Sequence, residues 1–109
     1  MNKENFIKTL FNRYGKLICF TDEEFDKFCK LRQADKVWWH LKNFECITNK
    51  ECHDIYGIRH CPSVIRDLRN NPFTYGDNHF YIESVRSEDE VDRFGKRTFH
   101  DIYTLKQYT

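Results

Sequence analysis

The stretch Ile47-Thr48-Asn49-Lys50-Glu51-Cys52-His53-Asp54-Ile55-Tyr56-Gly57-Ile58 decides the fold class, because it encodes a short helix with a marked start and a marked stop. Thr48 and Glu51 stand at the spacing of a capping box, in which each side chain takes up a backbone N–H freed at the helix N-terminus. Gly57 stands where a left-handed residue ends the helix, a conformation that glycine adopts without a Cβ clash. Cys52 and Ile55 are the inward positions, and the small Cys52 side chain lets a following helix approach closely. That helix comes after Ile58. Pro62 is tolerated in its first turn, Val64, Ile65 and Leu68 supply its buried face, and Asn70-Asn71-Pro72 ends it. Two helices joined by a tight turn are therefore expected in the middle of the chain.

Towards the N-terminus, a helix is expected to begin near Asp35, with Val37, Trp38 and Leu41 facing inward and Phe44 closing the stripe. Phe6, Ile7, Leu10, Phe11 and Tyr14 share one helical face ahead of Gly15, which predicts a first helix from Lys3 to Tyr14. Thr21 and Glu24 form a second capping box, and Phe25, Phe28, Cys29 and Arg32 line one face of the helix they open. Between these helices, Leu17, Ile18, Cys19 and Phe20 read as an extended, buried connector. Towards the C-terminus the period changes to two. A strand is expected over residues 79–87, with Phe80 and Ile82 alternating with Tyr81, Glu83 and Val85, and a second over residues 96–105. The intervening residues 88–95 read as the loop of a hairpin.

Composition bounds the function. The chain has 109 residues, enough for one ordinary domain with a helical extension. An aromatic fraction of 17% opposes disorder even with 32% charged residues. The formal net charge of +1 provides no whole-molecule field for nucleic acid or anionic membrane, so any DNA contact must come from a local patch. Residues 73–109 carry five basic and seven acidic side chains and are the acidic part. No apolar run is long enough to span a bilayer and no signal-peptide core opens the chain, so a cytoplasmic protein without membrane partners is expected. Five cysteines without a secretory signal point to reduced thiols.

Metal binding and catalysis would each rest on particular residues. Cys46, Cys52, His53, His60 and Cys61 lie close in sequence and are zinc-ligand types, but paired Cys-x-x-Cys knuckles are absent, and Cys52 and His53 diverge on a helix. Core cysteines and solvent-facing histidines are expected, with no metal or other cofactor. His100 and Asp101 are strand neighbours that point to opposite faces, and no phosphate loop, nucleophile elbow or metalloprotease motif is present, so no enzymatic activity is expected.

The chain resembles the small winged helix-turn-helix proteins of phages and prophages, in which an I-T-x-x-E-A segment leads through G-I to a helix ending I-x-D-L-R. The matching residues are Ile47, Thr48, Glu51 and Cys52, then Gly57 and Ile58, then Ile65, Asp67, Leu68 and Arg69. Arg93-Phe94-Gly95-Lys96 looks like the family's R-Y-G-K wing turn, and Tyr103-Thr104-Leu105 like its closing strand. The resemblance spans residues 35–106, with Cys52 where the family has alanine and the acidic stretch 87–92 where it has basic residues. It implies an α+β fold: a helix-rich winged helix-turn-helix over residues 35–109, with a C-terminal β-hairpin wing, behind an N-terminal helical extension over residues 1–34. It also implies a transcriptional regulator that binds double-stranded DNA with its recognition helix in the major groove. On that implication Arg59, His60, Ser63 and Arg66 lie nearest the bases, Lys50 and Arg69 near phosphates, and Lys96 at the wing turn. The acidic stretch sets wing contact with DNA against like-charge repulsion. The alternative class is a phage-encoded inhibitor of a host defence protein, anti-CRISPR-like, that uses the same fold to bind a host protein partner. Trp39, Phe73 and Tyr75 would then anchor the interface. A homodimer is left open.

Overall fold

A computed structural model of the chain describes residues 2–70, 80–91, 94 and 97–107. They form an α+β fold with helices α1 (Lys3–Tyr14), α2 (Asp22–Cys29), α3 (Gln33–Phe44), α4 (Asn49–Tyr56) and α5 (Cys61–Asn70). The strands are β1 (Cys46–Thr48), β2 (Phe80–Val91) and β3 (Arg97–Gln107). The chain divides into two compact units, Met1–Arg32 and Gln33–Thr109.

In the first unit, α1 starts at Asn2, whose side chain accepts the Asn5 N–H at 2.8 Å, and stops at Gly15 in the left-handed region. Thr21 and Glu24 cap α2 reciprocally, as their spacing predicts. Phe6 centres an aromatic cluster, with its ring centroid 5.3 Å from Phe28, 5.8 Å from Phe25 and 6.1 Å from Phe20. Two expectations are corrected here. The 17–20 connector belongs to no helix or strand and is not buried as a whole: Leu17 is 66% exposed and Cys19 is exposed, while Ile18 and Phe20 are half-buried. Exposure alternates along it, as it does where successive side chains turn to opposite sides and only alternate residues reach a core. Phe11, which shares one helical face with Phe6 and Leu10, is 50% exposed where those two are buried.

In the second unit, α3, α4 and α5 pack around one face of a three-stranded antiparallel sheet of order β1-β3-β2. The core joins Val37 and Leu41 of α3, Cys52 of α4, Val64, Ile65 and Leu68 of α5, and Ile47, Ile82 and Tyr103 of the sheet. The register explains the sheet residues: Tyr103 stands opposite Ile47 on one side and Ser84 on the other, and Ile82 stands opposite Leu105, so these share the helix-covered face. Tyr81 and Val85 occupy the other face and are 40% and 47% exposed.

Three differences from the sequence reading concern this unit. The helix α3 starts at Gln33, ahead of Asp35, and buries Ala34. Ile47 and Thr48 belong to a strand, β1, which was not expected, and its three residues are too few for any period to show. The strand β2 continues through Val91 where a loop over residues 88–95 was expected. A bulge between Ser87 and Glu90 absorbs one extra residue, and the ladder resumes at Glu90↔Thr98 and Val91↔Arg97. Backbone pairing does not require an apolar face, so the acidic residues 88–90 lie on a strand without alternating hydrophobicity to reveal it.

Candidate nucleic-acid interface

The helix α4 starts where its capping box placed it. The Glu51 N–H donates to Thr48 Oγ1 at 3.1 Å and the Thr48 N–H to Glu51 Oε1 at 3.0 Å. It stops at Gly57, at φ 68°, where the Gly57 N–H donates to the His53 carbonyl and the Ile58 N–H to the Cys52 carbonyl, both at 3.0 Å. Ile58, 1% exposed, plugs the turn into the core, and α5 begins three residues later.

His60 and Ser63 meet at the first turn of α5. The Ser63 N–H donates to His60 Nδ1 at 3.3 Å, and the Ser63 hydroxyl lies 2.5 Å from the same nitrogen. The imidazole thus takes the N-cap role usually filled by Ser, Thr, Asp or Asn. With Nδ1 accepting, the neutral ring carries its proton on Nε2. No acidic residue stands in the first turn of α5, whereas one does in each of the other four helices.

Lys50, Arg59 and Arg66 are exposed. Lys50 lies in the first turn of α4, Arg59 just before α5 and Arg66 within it. Among the described residues these three cations make no hydrogen bond or ion pair with a side chain. Arg69 differs: its Nη2 donates to the Ile82 carbonyl at 2.7 Å and to Ser84 Oγ at 2.8 Å, which ties the end of α5 to β2. Lys96, like Phe73 and Tyr75, lies outside the described residues. Trp39 is half-buried and meets Phe44 edge-on at 6.0 Å.

Sequence reasoning missed two features beside this helix pair. His40 of α3 is fully buried, with Nδ1 2.5 Å from the Tyr56 hydroxyl and Nε2 3.9 Å from Glu51 Oε2. Burial pulls its pKa down to about 4 despite a hydrogen bond to the Cys46 backbone that acts the other way. Cys52 and Cys61, both buried, bring their Sγ atoms to 2.7 Å. The only sequence hints were the inward helix position of Cys52 and the expectation that the cysteines belong to the core. Among the described residues no group of His, Cys, Asp and Glu could hold a metal ion, and no helix is long and apolar enough to cross a membrane.

Comparison of the chain with protein-family models, with curated proteins and with solved structures gave no match.

Proposed function

We propose that the second unit is a winged helix-turn-helix that binds double-stranded DNA through α5, with β2 and β3 as the wing and α1 and α2 as an N-terminal extension. The observation that carries this reading is the exposed pair of Arg59, just before α5, and Arg66, within it, after the glycine that ends α4. A helix-turn-helix presents such a helix to the major groove, and a guanidinium bonds the two acceptors of guanine bidentately. The element order α3-β1-α4-α5-β2-β3 and the sheet order β1-β3-β2 are consistent with a winged layout. A first turn of α5 free of carboxylates suits a phosphate at the positive end of the helix dipole. His60 Nε2 supplies a donor beside the bases, and Lys50 a cation for the backbone. On this reading the protein is a small cytoplasmic transcriptional regulator of phage type.

The test is fluorescence anisotropy of the protein with duplex fragments from around its own coding region, across a salt series. Tight binding to one fragment is expected, with affinity falling linearly in log salt. Arg66→Ala should weaken it at least about tenfold, the size of one lost bidentate base contact. Absence of binding to every fragment at low salt overturns the reading.

A second reading has one observation in its favour. Tyr81 and Val85, 40% and 47% exposed on one sheet face to either side of Glu83, are the kind of apolar anchors an inhibitor of a host defence protein would use. Under it, Val85→Lys would abolish activity while Arg66→Ala would not.

A further inference from the structure

Cys52 lies on the buried face of α4 and Cys61 is the first residue of α5. They are 0% and 2% exposed, and their Sγ atoms stand 2.7 Å apart. A disulfide needs about 2.05 Å, so the two sulfurs stand within about 0.7 Å of bonding distance. The turn between them is fixed from both ends. The Cys52 carbonyl accepts the Ile58 N–H at 3.0 Å, and His60 caps the helix that starts with Cys61.

We propose that Cys52 and Cys61 form a thiol–disulfide couple, a site of reversible oxidation by small hydroperoxides that ties α4 to α5 across the Gly57 turn. The site stands whether or not α5 touches nucleic acid.

The two sulfurs have different roles. Cys61 opens a helix, where the positive end of the dipole favours a thiolate, and it accepts a hydrogen bond from the Cys52 thiol. That bond holds the Cys61 thiol below its ordinary range and, together with burial, pushes the Cys52 thiol up. Cys61 is therefore the attacking thiolate and Cys52 the resolving thiol. The Cys61 thiolate attacks hydrogen peroxide, an S–O bond forms, the O–O bond breaks, and hydroxide leaves and takes up the proton that Cys61 had released. The Cys52 sulfur then displaces the sulfenic oxygen. The S–S bond forms as the S–O bond breaks, and the Cys52 proton leaves with that oxygen as a second water. Two electrons pass from the thiols to the peroxide. A small oxidant matches a pair this deeply covered, and a dithiol reductant in excess reverses the reaction by exchange. Cys19 and Cys29 are exposed and serve as an internal control for oxidant reaching the protein.

The test uses the protein unmodified. It is treated with a small molar excess of hydrogen peroxide, unfolded in the presence of N-ethylmaleimide and cut with trypsin. Cleavage after Lys50, Arg59 and Arg66 places Cys52 in peptide 51–59 and Cys61 in peptide 60–66. The expected product is one linked species, lighter than the two free peptides together by about 2 Da, the two hydrogens lost on oxidation. It should separate on reduction, and its yield should not depend on protein concentration. Recovery of both peptides as maleimide adducts, from protein whose Cys19 and Cys29 are already oxidised, overturns the proposal. So does linkage of Cys52 or Cys61 chiefly to any other cysteine.

Discussion

The imidazole of His40 and the hydroxyl of Tyr56 meet at 2.5 Å, between α3 and the last residue of α4, with no part of the His40 side chain exposed. A neutral ring has one acceptor and one donor nitrogen, and it can take the Tyr56 O–H on Nδ1 while bonding the Cys46 backbone. An imidazolium would have no acceptor for that hydroxyl and would carry its charge into the core. Burial outweighs the Glu51 carboxylate 3.9 Å from Nε2, and the pKa falls to about 4 from an ordinary 6.5. The unfolded chain therefore binds a proton in a range where the folded one does not. Stability should be complete above pH 6.5, fall as pH drops from there to about 4, and lose on the order of 3 kcal/mol through this residue. Urea unfolding followed by Trp38 and Trp39 fluorescence across that range checks the slope. His40→Gln should flatten it, and an unchanged slope in that variant would assign the acid sensitivity to other groups.

The caps and the turn of the helix pair were legible in the sequence because each depends on two or three neighbouring residues. Thr48 with Glu51, Thr21 with Glu24, and Gly57 behave as their spacing predicts. What depends on distant partners was not legible. Arg69 looked like a phosphate contact, and its bonds to Ile82 and Ser84 emerge only when β2 is laid beside α5. His40 read as one polar residue in an amphipathic helix, because its partner Tyr56 comes from another element. The strand β1 was hidden because Thr48 serves two elements, closing the pairing with Ile102 and capping α4.

Arg69 and Arg66 should separate stability from binding. Arg69 donates two hydrogen bonds to β2, one to a backbone carbonyl on the edge of the core. Arg69→Ala should cost about 1–3 kcal/mol of folding free energy, the range for removing a charged donor from placed acceptors. Arg66 makes no such bond among the described residues, and Arg66→Ala should stay within about 0.5 kcal/mol of the parent. Denaturation midpoints compare the two directly, and a larger loss for Arg66 than for Arg69 would contradict the assignment.

Thr48 offers a test of the double duty at the β1–α4 junction. Its hydroxyl accepts the Glu51 N–H at 3.1 Å, and its own N–H is taken by Glu51 Oε1 at 3.0 Å. Thr48→Ala removes one of these bonds and should destabilise by about 1 kcal/mol, whereas Thr48→Ser keeps the cap oxygen and should recover most of that loss. Glu51→Gln keeps an acceptor at the capping position and should be milder than Glu51→Ala. Equal losses for Thr48→Ser and Thr48→Ala would show that the methyl group in the sheet, and not the cap, is what counts.

Two left-handed residues flank this same segment, and they should respond to substitution in opposite directions. Glu45 ends α3 at φ 71° and Gly57 ends α4 at φ 68°. Glu45 is exposed and its side chain makes no described contact, while its backbone is held by the bonds Glu45 N–H to the Leu41 carbonyl and Leu105 N–H to the Glu45 carbonyl, at 2.8 and 2.7 Å. A side chain in this conformation crowds the following carbonyl and costs about 1 kcal/mol or more, partly offset by the greater freedom that glycine has in the unfolded chain. Glu45→Gly should therefore stabilise by about 0.5 kcal/mol. Gly57→Ala should destabilise by about 1 kcal/mol. A Cβ at position 57 would meet nothing within 4 Å, so that loss measures backbone strain alone. Urea midpoints of the two variants against the parent read both signs in one experiment, and destabilisation by Glu45→Gly would mean that the Glu45 carboxylate has a partner that outweighs the strain.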